Sequence, residues 1–201
     1  NGLTTTLQKP SKPNATTAMA GSYSVPVTAS NGCTAKNTTN ITINTLPIAT
    51  AGSNSPVCEE NTLNLTSSGG TDFSWSGPDG FTSNKQNPSI NTAKKDMTGT
   101  YTVIVTAANG CMVTNTTSVI INPLPIAIAG SNSPVCTGNT INLTSSGGAN
   151  YKWKGTNGFT NTTQNPPILN ADPTMSGSYT VTATASNGCI APASATVTVK
   201  A

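Results

Sequence analysis

The stretch Gly99-Thr-Tyr-Thr-Val-Ile-Val-Thr-Ala-Ala-Asn-Gly-Cys111 has counterparts at residues 21–33 and 177–189, each displaced by 78 residues. A fixed internal period constrains a chain more than its length does, because each period must be one structural unit. Residues 46–123 align without a gap on residues 124–201, and 42 of the 78 pairs are identical. Residues 1–45 match the second part of the same unit, with Leu3 standing where Phe81 and Phe159 stand. The pattern predicts three segments: 1–45 as the C-terminal part of a truncated repeat, and 46–123 and 124–201 as complete repeats. Asn1 falls in mid-repeat with no apolar leader before it, so the expectation is a window on a longer chain, or a first unit completed by a neighbour.

Within the recurring stretch, Tyr101, Val103, Val105 and Ala107 alternate with Thr100, Thr102 and Thr106. That period of two, in β-branched and aromatic residues, is the mark of a half-buried strand. Asn109-Gly110 predicts a two-residue hairpin turn after it, and Asp79-Gly80 a second one before Phe81. Pro47 and Pro56 suit a split edge strand, since proline has no ladder donor. Leu63 and Leu65, Phe73 and Trp75, and Val119 and Ile121 each share a face of a further strand. About seven short strands per 78 residues, with no 3.6-residue period, predict an antiparallel sandwich. Leu46-Pro47 and Leu124-Pro125 follow the previous strand directly, so the units should form a semi-rigid rod.

Charged residues make up 7% of the chain and all nine basic ones are lysines, spread along it. No dense basic stripe exists for a nucleic acid, and no apolar run is long enough to span a membrane. The five cysteines follow the period: a turn series (Cys33, Cys111, Cys189) and an edge series (Cys58, Cys136). Pairing within repeats, Cys58 with Cys111 and Cys136 with Cys189, leaves only Cys33, unpaired by truncation. Disulfides would place the chain in an oxidising compartment, whereas buried free thiols are the alternative.

A Trp on the third strand and a Gly-x-Tyr two strands from the end resemble the immunoglobulin fold. Val103 and Val181 stand where antibody domains carry the second bridging Cys, so that inter-sheet bridge is absent. The Pro-Val-Cys-x-x-Asn-Thr-x-Asn-Leu-Thr opening and the Gly-x-Tyr-Thr-Val ending on Asn-Gly-Cys resemble instead the Ig-like repeats of very large Bacteroidota surface adhesins. These include SprB-type gliding-motility adhesins exported by the type IX system. In Ig-like wiring the strand carrying Cys58 would lie beside the strand that starts at Cys111. A bridge there would clasp each domain, worth about 4 kcal/mol by loop-closure entropy.

With no His in the chain, Ser-His-Asp and Cys-His catalysis and His-based metal sites are excluded. None of the six carboxylates recurs as a carboxylate one period away, which argues against a repeated glycosidase pair or calcium cage. The Gly-Gly pairs at 69–70 and 147–148 lack the Lys and helix of a phosphate loop. Tyr23, Trp75, Phe81, Tyr101, Trp153, Phe159 and Tyr179 are expected to fill cores, with a sugar-stacking platform of Phe73, Trp75, Phe81, Tyr151, Trp153 and Phe159 as the competing reading.

The expectation is a non-enzymatic stalk of a secreted bacterial surface adhesin or filament, without cofactor, giving reach, stiffness and display in adhesion or gliding. Its partners would be neighbouring repeats of the same chain, with self-association or a surface glycan reached through other regions. The alternatives are a carbohydrate- or surface-binding module and an accessory region of a secreted enzyme.

Overall fold

The computed structural model describes residues 3–201; Asn1 and Gly2, which open the expected partial repeat, lie outside the described residues. Apart from single 3-10 turns, all regular structure among the described residues is β. Residues 21–41 form one hairpin, β1 (Gly21–Thr28) and β2 (Thr34–Ile41), paired in register from Gly21↔Ile41 to Thr28↔Thr34.

The first complete unit contains β3 (Thr50–Ser53), β4 (Val57–Cys58), β5 (Leu63–Ser68), β6 (Asp72–Ser76), β7 (Thr82–Ser83), β8 (Ser89–Ile90), β9 (Gly99–Thr106), β10 (Met112–Val119) and β11 (Ile121–Asn122). One sheet has the order β3-β5-β8 and the facing sheet β10-β9-β6-β7. The split edge strand changes partner at the cis Ser55–Pro56 bond: β3 pairs with β5, while β4 runs parallel to β11, with Val57 opposite Ile121 and Cys58 opposite Asn122.

The second unit repeats this wiring in β12 (Ile128–Ser131), β13 (Val135–Cys136), β14 (Ile141–Ser146), β15 (Asn150–Lys154), β16 (Thr160–Asn161), β17 (Pro167–Ile168), β18 (Gly177–Thr184), β19 (Ile190–Val197) and β20 (Val199–Lys200). Its sheets are β12-β14-β17 and β16-β15-β18-β19, and β13 lies parallel to β20.

Each unit has its own core. In the first, Leu63, Leu65, Trp75, Tyr101, Val103, Val105 and Val119 are all at most 1% exposed. In the second, Ile141, Leu143, Trp153, Tyr179, Val181 and Val197 are buried to the same degree. Removing each such large side chain from water contributes about 1.5–3 kcal/mol, so each unit supplies its own driving force. A hydrogen bond to the backbone pins each strand-leading tyrosine: Tyr101 Oη donates to Met97 O at 3.0 Å, Tyr179 to Met175 O at 2.9 Å and Tyr23 to Met19 O at 2.7 Å. A Tyr bonded back to the chain just upstream is also a mark of immunoglobulin-type sandwiches.

One turn differs from expectation. The Asn109-Gly110 turn is closed by Ala107 N to Cys111 O at 2.9 Å, with Gly110 N bonded to Ala107 O at 2.8 Å. Gly110 alone has a positive φ, +80°, so the loop has three residues and a glycine bulge rather than two residues at positive φ. The Asn109 side chain braces this loop, its Oδ1 accepting from Cys111 N at 3.0 Å. Asp79 and Gly80, both at positive φ, do form the expected two-residue turn, closed by Phe81 N to Pro78 O.

Candidate functional site at the junction between repeats

The most chemically distinctive place in the molecule is where the first unit hands over to the second. Strand β11 ends at Asn122, and Pro123 leads into the next unit. The β18–β19 turn of the second unit, Asn187-Gly188-Cys189, sits against this exit. Asn187 Nδ2 reaches Pro123 O at 3.5 Å, and Cys189 Sγ lies 3.9 Å from Asn122 O. Because β4 lies beside β11, the same pole also carries Cys58, opposite Asn122.

Cys58 and Cys189 are joined in a disulfide with a Cα–Cα distance of 5.7 Å and a sequence separation of 131. This corrects the expected in-repeat pairing of Cys58 with Cys111 and Cys136 with Cys189: Cys111 and Cys136 are free thiols, as is Cys33. The reason is one of poles. Cys58 does lie beside the strand that starts at Cys111, but at its far end. The twelve residues from Cys111 to Asn122 are almost all extended, and their eleven steps span about 35 Å of chain. A disulfide tolerates about 7 Å between Cα atoms at most. The bridge therefore has to leave the unit. Closing a loop this long contributes about 5 kcal/mol on the chain-entropy model.

The junction before the first unit repeats the geometry without the bridge. Asn109 Nδ2 donates to Thr45 O at 3.1 Å, and Asn44 Nδ2 donates to Asn109 O at 3.4 Å. Thr45 and Pro123 are one period apart, as are Asn109 and Asn187. The turn of each complete unit thus docks on the linker before it. The turn asparagine reads as turn chemistry in sequence; its second role, across the junction, has no local signal.

The expected core aromatics divide by position. Trp75, Trp153, Tyr101 and Tyr179 are buried, Phe81 and Phe159 are half-buried against the tyrosines in edge-on contacts at 5.5 and 5.6 Å, and Tyr23 is half-buried beside an open cleft of about 1140 Å³. The four fully buried rings, Trp75, Trp153, Tyr101 and Tyr179, present no face to a sugar. A triplet that sequence patterning passed over holds each Trp: Trp75 Nε1 donates to Gln86 O at 3.2 Å and Trp153 Nε1 to Gln164 O at 3.1 Å. Gln86 Nε2 and Asn87 Oδ1 then satisfy the backbone of buried Ser67, and Gln164 and Asn165 do the same for Ser145. The signal was available as the recurring Gln-Asn-Pro at 86–88 and 164–166.

The Gly-Gly pairs are explained by crowding. Gly69 and Gly147 have φ of +103° and +93°, and a Cβ on either would collide with the carbonyl of Ile48 or Ile126. Titratable chemistry is sparse. Burial, helped by Asp79, raises the pKa of Tyr101, and the backbone N–H and hydroxyl of Thr174 hold Asp172 below its ordinary range. No cluster of three or more His, Cys, Asp or Glu able to hold a metal occurs among the described residues.

No curated protein matches the chain. Among solved structures, murine CEACAM1b is 14% identical, with 76% of this chain and 100% of that one covered and a TM-score of 0.38. The three N-terminal domains of the bacteriophage RB49 outer capsid protein Hoc are 16% identical, covering 77% and 59%, at 0.36. Sidekick-1 immunoglobulin domains 1–5 are 19% identical, covering 92% and 46%, at 0.32. Residues 126–201 match the PKD domain. The molecule is an all-β protein of two β-sandwiches in tandem, the second of which matches the PKD domain, a domain type typical of extracellular proteins, and its disulfide accords with that setting.

Proposed function

We propose that the chain is a non-enzymatic stalk segment of a bacterial surface adhesin or filament, serving reach, stiffness and display. The observation that carries this reading is the Cys58–Cys189 bridge, which fastens one repeat to the next rather than stabilising either alone. A binding module gains little from such a link, whereas an extended array gains resistance to bending and to extension. The similarity of its repeat motifs to those of Bacteroidota gliding adhesins supports a place in adhesion or gliding and export by the type IX route. Neighbouring repeats are the partners this assigns, and a glycan or solid surface would be met by other parts of the protein.

The mechanical claim is testable by stretching single chains held at their ends. In oxidised chains the residues between Cys58 and Cys189 are bypassed by the covalent bridge and cannot lengthen. Reductant should release about 450 Å of additional contour length at full extension. Equal extension with and without reductant would refute the role. Selective binding on a glycan array would favour the binding-module reading instead.

A further inference from the structure

We propose that Cys111 and Cys136 are the open halves of two more bridges of the same kind, each closed when another repeat of this type stacks on its pole. Cys136 takes the turn cysteine of a repeat following the second unit, and Cys111 takes the edge cysteine of the unit before the first.

Each thiol occupies the position of a bonded one. Cys136 lies one period after Cys58 in the same parallel pair, opposite Lys200 as Cys58 is opposite Asn122. The flanking ladder bond is reproduced too, with Glu59 N to Asn122 O and Thr137 N to Lys200 O both at 2.8 Å. Cys136 differs from Cys58 in being exposed, as the bare copy of a covered site must be. Cys111 lies one period before Cys189 in the same turn, its N–H held by Asn109 Oδ1 at 3.0 Å as that of Cys189 is by Asn187 Oδ1 at 3.0 Å. That turn already docks on the preceding linker through Asn109 and Thr45 O. Partner and geometry are therefore both displayed within the molecule, at the one junction that has both cysteines.

Closure is an ordinary exchange. A thiolate attacks glutathione disulfide and expels one glutathione thiolate. The second protein thiolate then attacks the mixed disulfide and expels the other glutathione. Two protein thiols are oxidised and one glutathione disulfide is reduced to two thiols.

The test appends one further copy of residues 124–201 after Ala201, the copy carrying Ile126→Val and Ile190→Val at exposed positions so that its cysteine peptides have their own masses. The chain is folded in a glutathione redox buffer, free thiols are alkylated and disulfide-linked peptides are mapped. The expected map retains Cys58–Cys189 and joins Cys136 to the turn cysteine of the added copy. Alkylated Cys136 beside an intact Cys58–Cys189 bridge overturns the proposal, as does Cys136 bonded to Cys189. In the extended chain, Cys136→Ser should leave the added turn cysteine open to alkylation with an unchanged β-type circular dichroism spectrum; its protection would overturn the assignment. The 201-residue chain provides an independent check, with Cys111 and Cys136 alkylated, Cys58 and Cys189 protected, and a Cys58–Cys111 peptide counting against the idea. Connectivity is read directly, so the result stands whether or not the array carries load.

Discussion

The β1–β2 hairpin and the β9–β10 hairpin carry the same strand pattern in opposite surroundings. Tyr101, Val103 and Val105 are fully buried under Leu63, Leu65 and Trp75, whereas Val25 and Val27 are 57% and 60% exposed. Register, turn and tyrosine bond are kept in the bare copy. Local sequence is thus sufficient to write the hairpin, and the facing sheet supplies the burial. Isolated two-stranded hairpins are marginal in water, so the two copies should differ widely in stability.

Matched substitutions one period apart sharpen that contrast. The largest difference belongs to the turn cysteines: Cys189→Ser should cost up to about 5 kcal/mol in denaturant unfolding, and Cys33→Ser nothing measurable. Equal effects would mean that the bridge contributes nothing in solution. Next come the tyrosines, where Tyr101→Ala should cost about 3–5 kcal/mol and Tyr23→Ala less than about 0.5 kcal/mol. Hydrogen exchange would show the same gap, with slow amides in β9 and fast ones in β1. Tyr101→Phe isolates the hydroxyl bond to Met97 O and should cost about 1 kcal/mol, against no loss for Tyr23→Phe.

The smallest expected effect separates the two complete units. Asp172 caps the 3-10 turn Pro173–Met175 through Thr174, while Lys94 at the matching place makes no such bond. Its folded-state pKa is lowered, first by the backbone N–H and then by the hydroxyl of Thr174. The cap is thus present above the ordinary carboxylate range and is lost as pH falls through the lowered value. An NMR titration should place the Asp172 midpoint below that range, and Thr174→Ala should raise it partway. An ordinary midpoint in the parent chain would remove the cap.

Strands were legible because burial on one face writes itself as alternation, as at Tyr101-Val103-Val105, and the period located the units. The Asp79-Gly80 turn was legible from its two residues. At Asn109-Gly110 the same dipeptide type misled, because the asparagine side chain serves Cys111 and Thr45 instead of a tight turn. The disulfide was half legible. The edge strand does lie beside the strand after Cys111, but the pole that Cys58 reaches depends on its parallel pairing with Ile121-Asn122, which no local pattern encodes. The Gln-Asn-Pro support of each Trp was visible as a repeat and silent as chemistry, since amides that satisfy a buried backbone look like any polar loop.

Neighbouring units that are more than half identical can trade strands with one another while folding, a known hazard of tandem repeats. A link from the exit end of one unit to the entry turn of its successor forms only after both have adopted their own strands and stacked in order. The sulfur pair would then act as a checkpoint on assembly, marking each correctly seated neighbour and leaving a misthreaded one with reactive thiols.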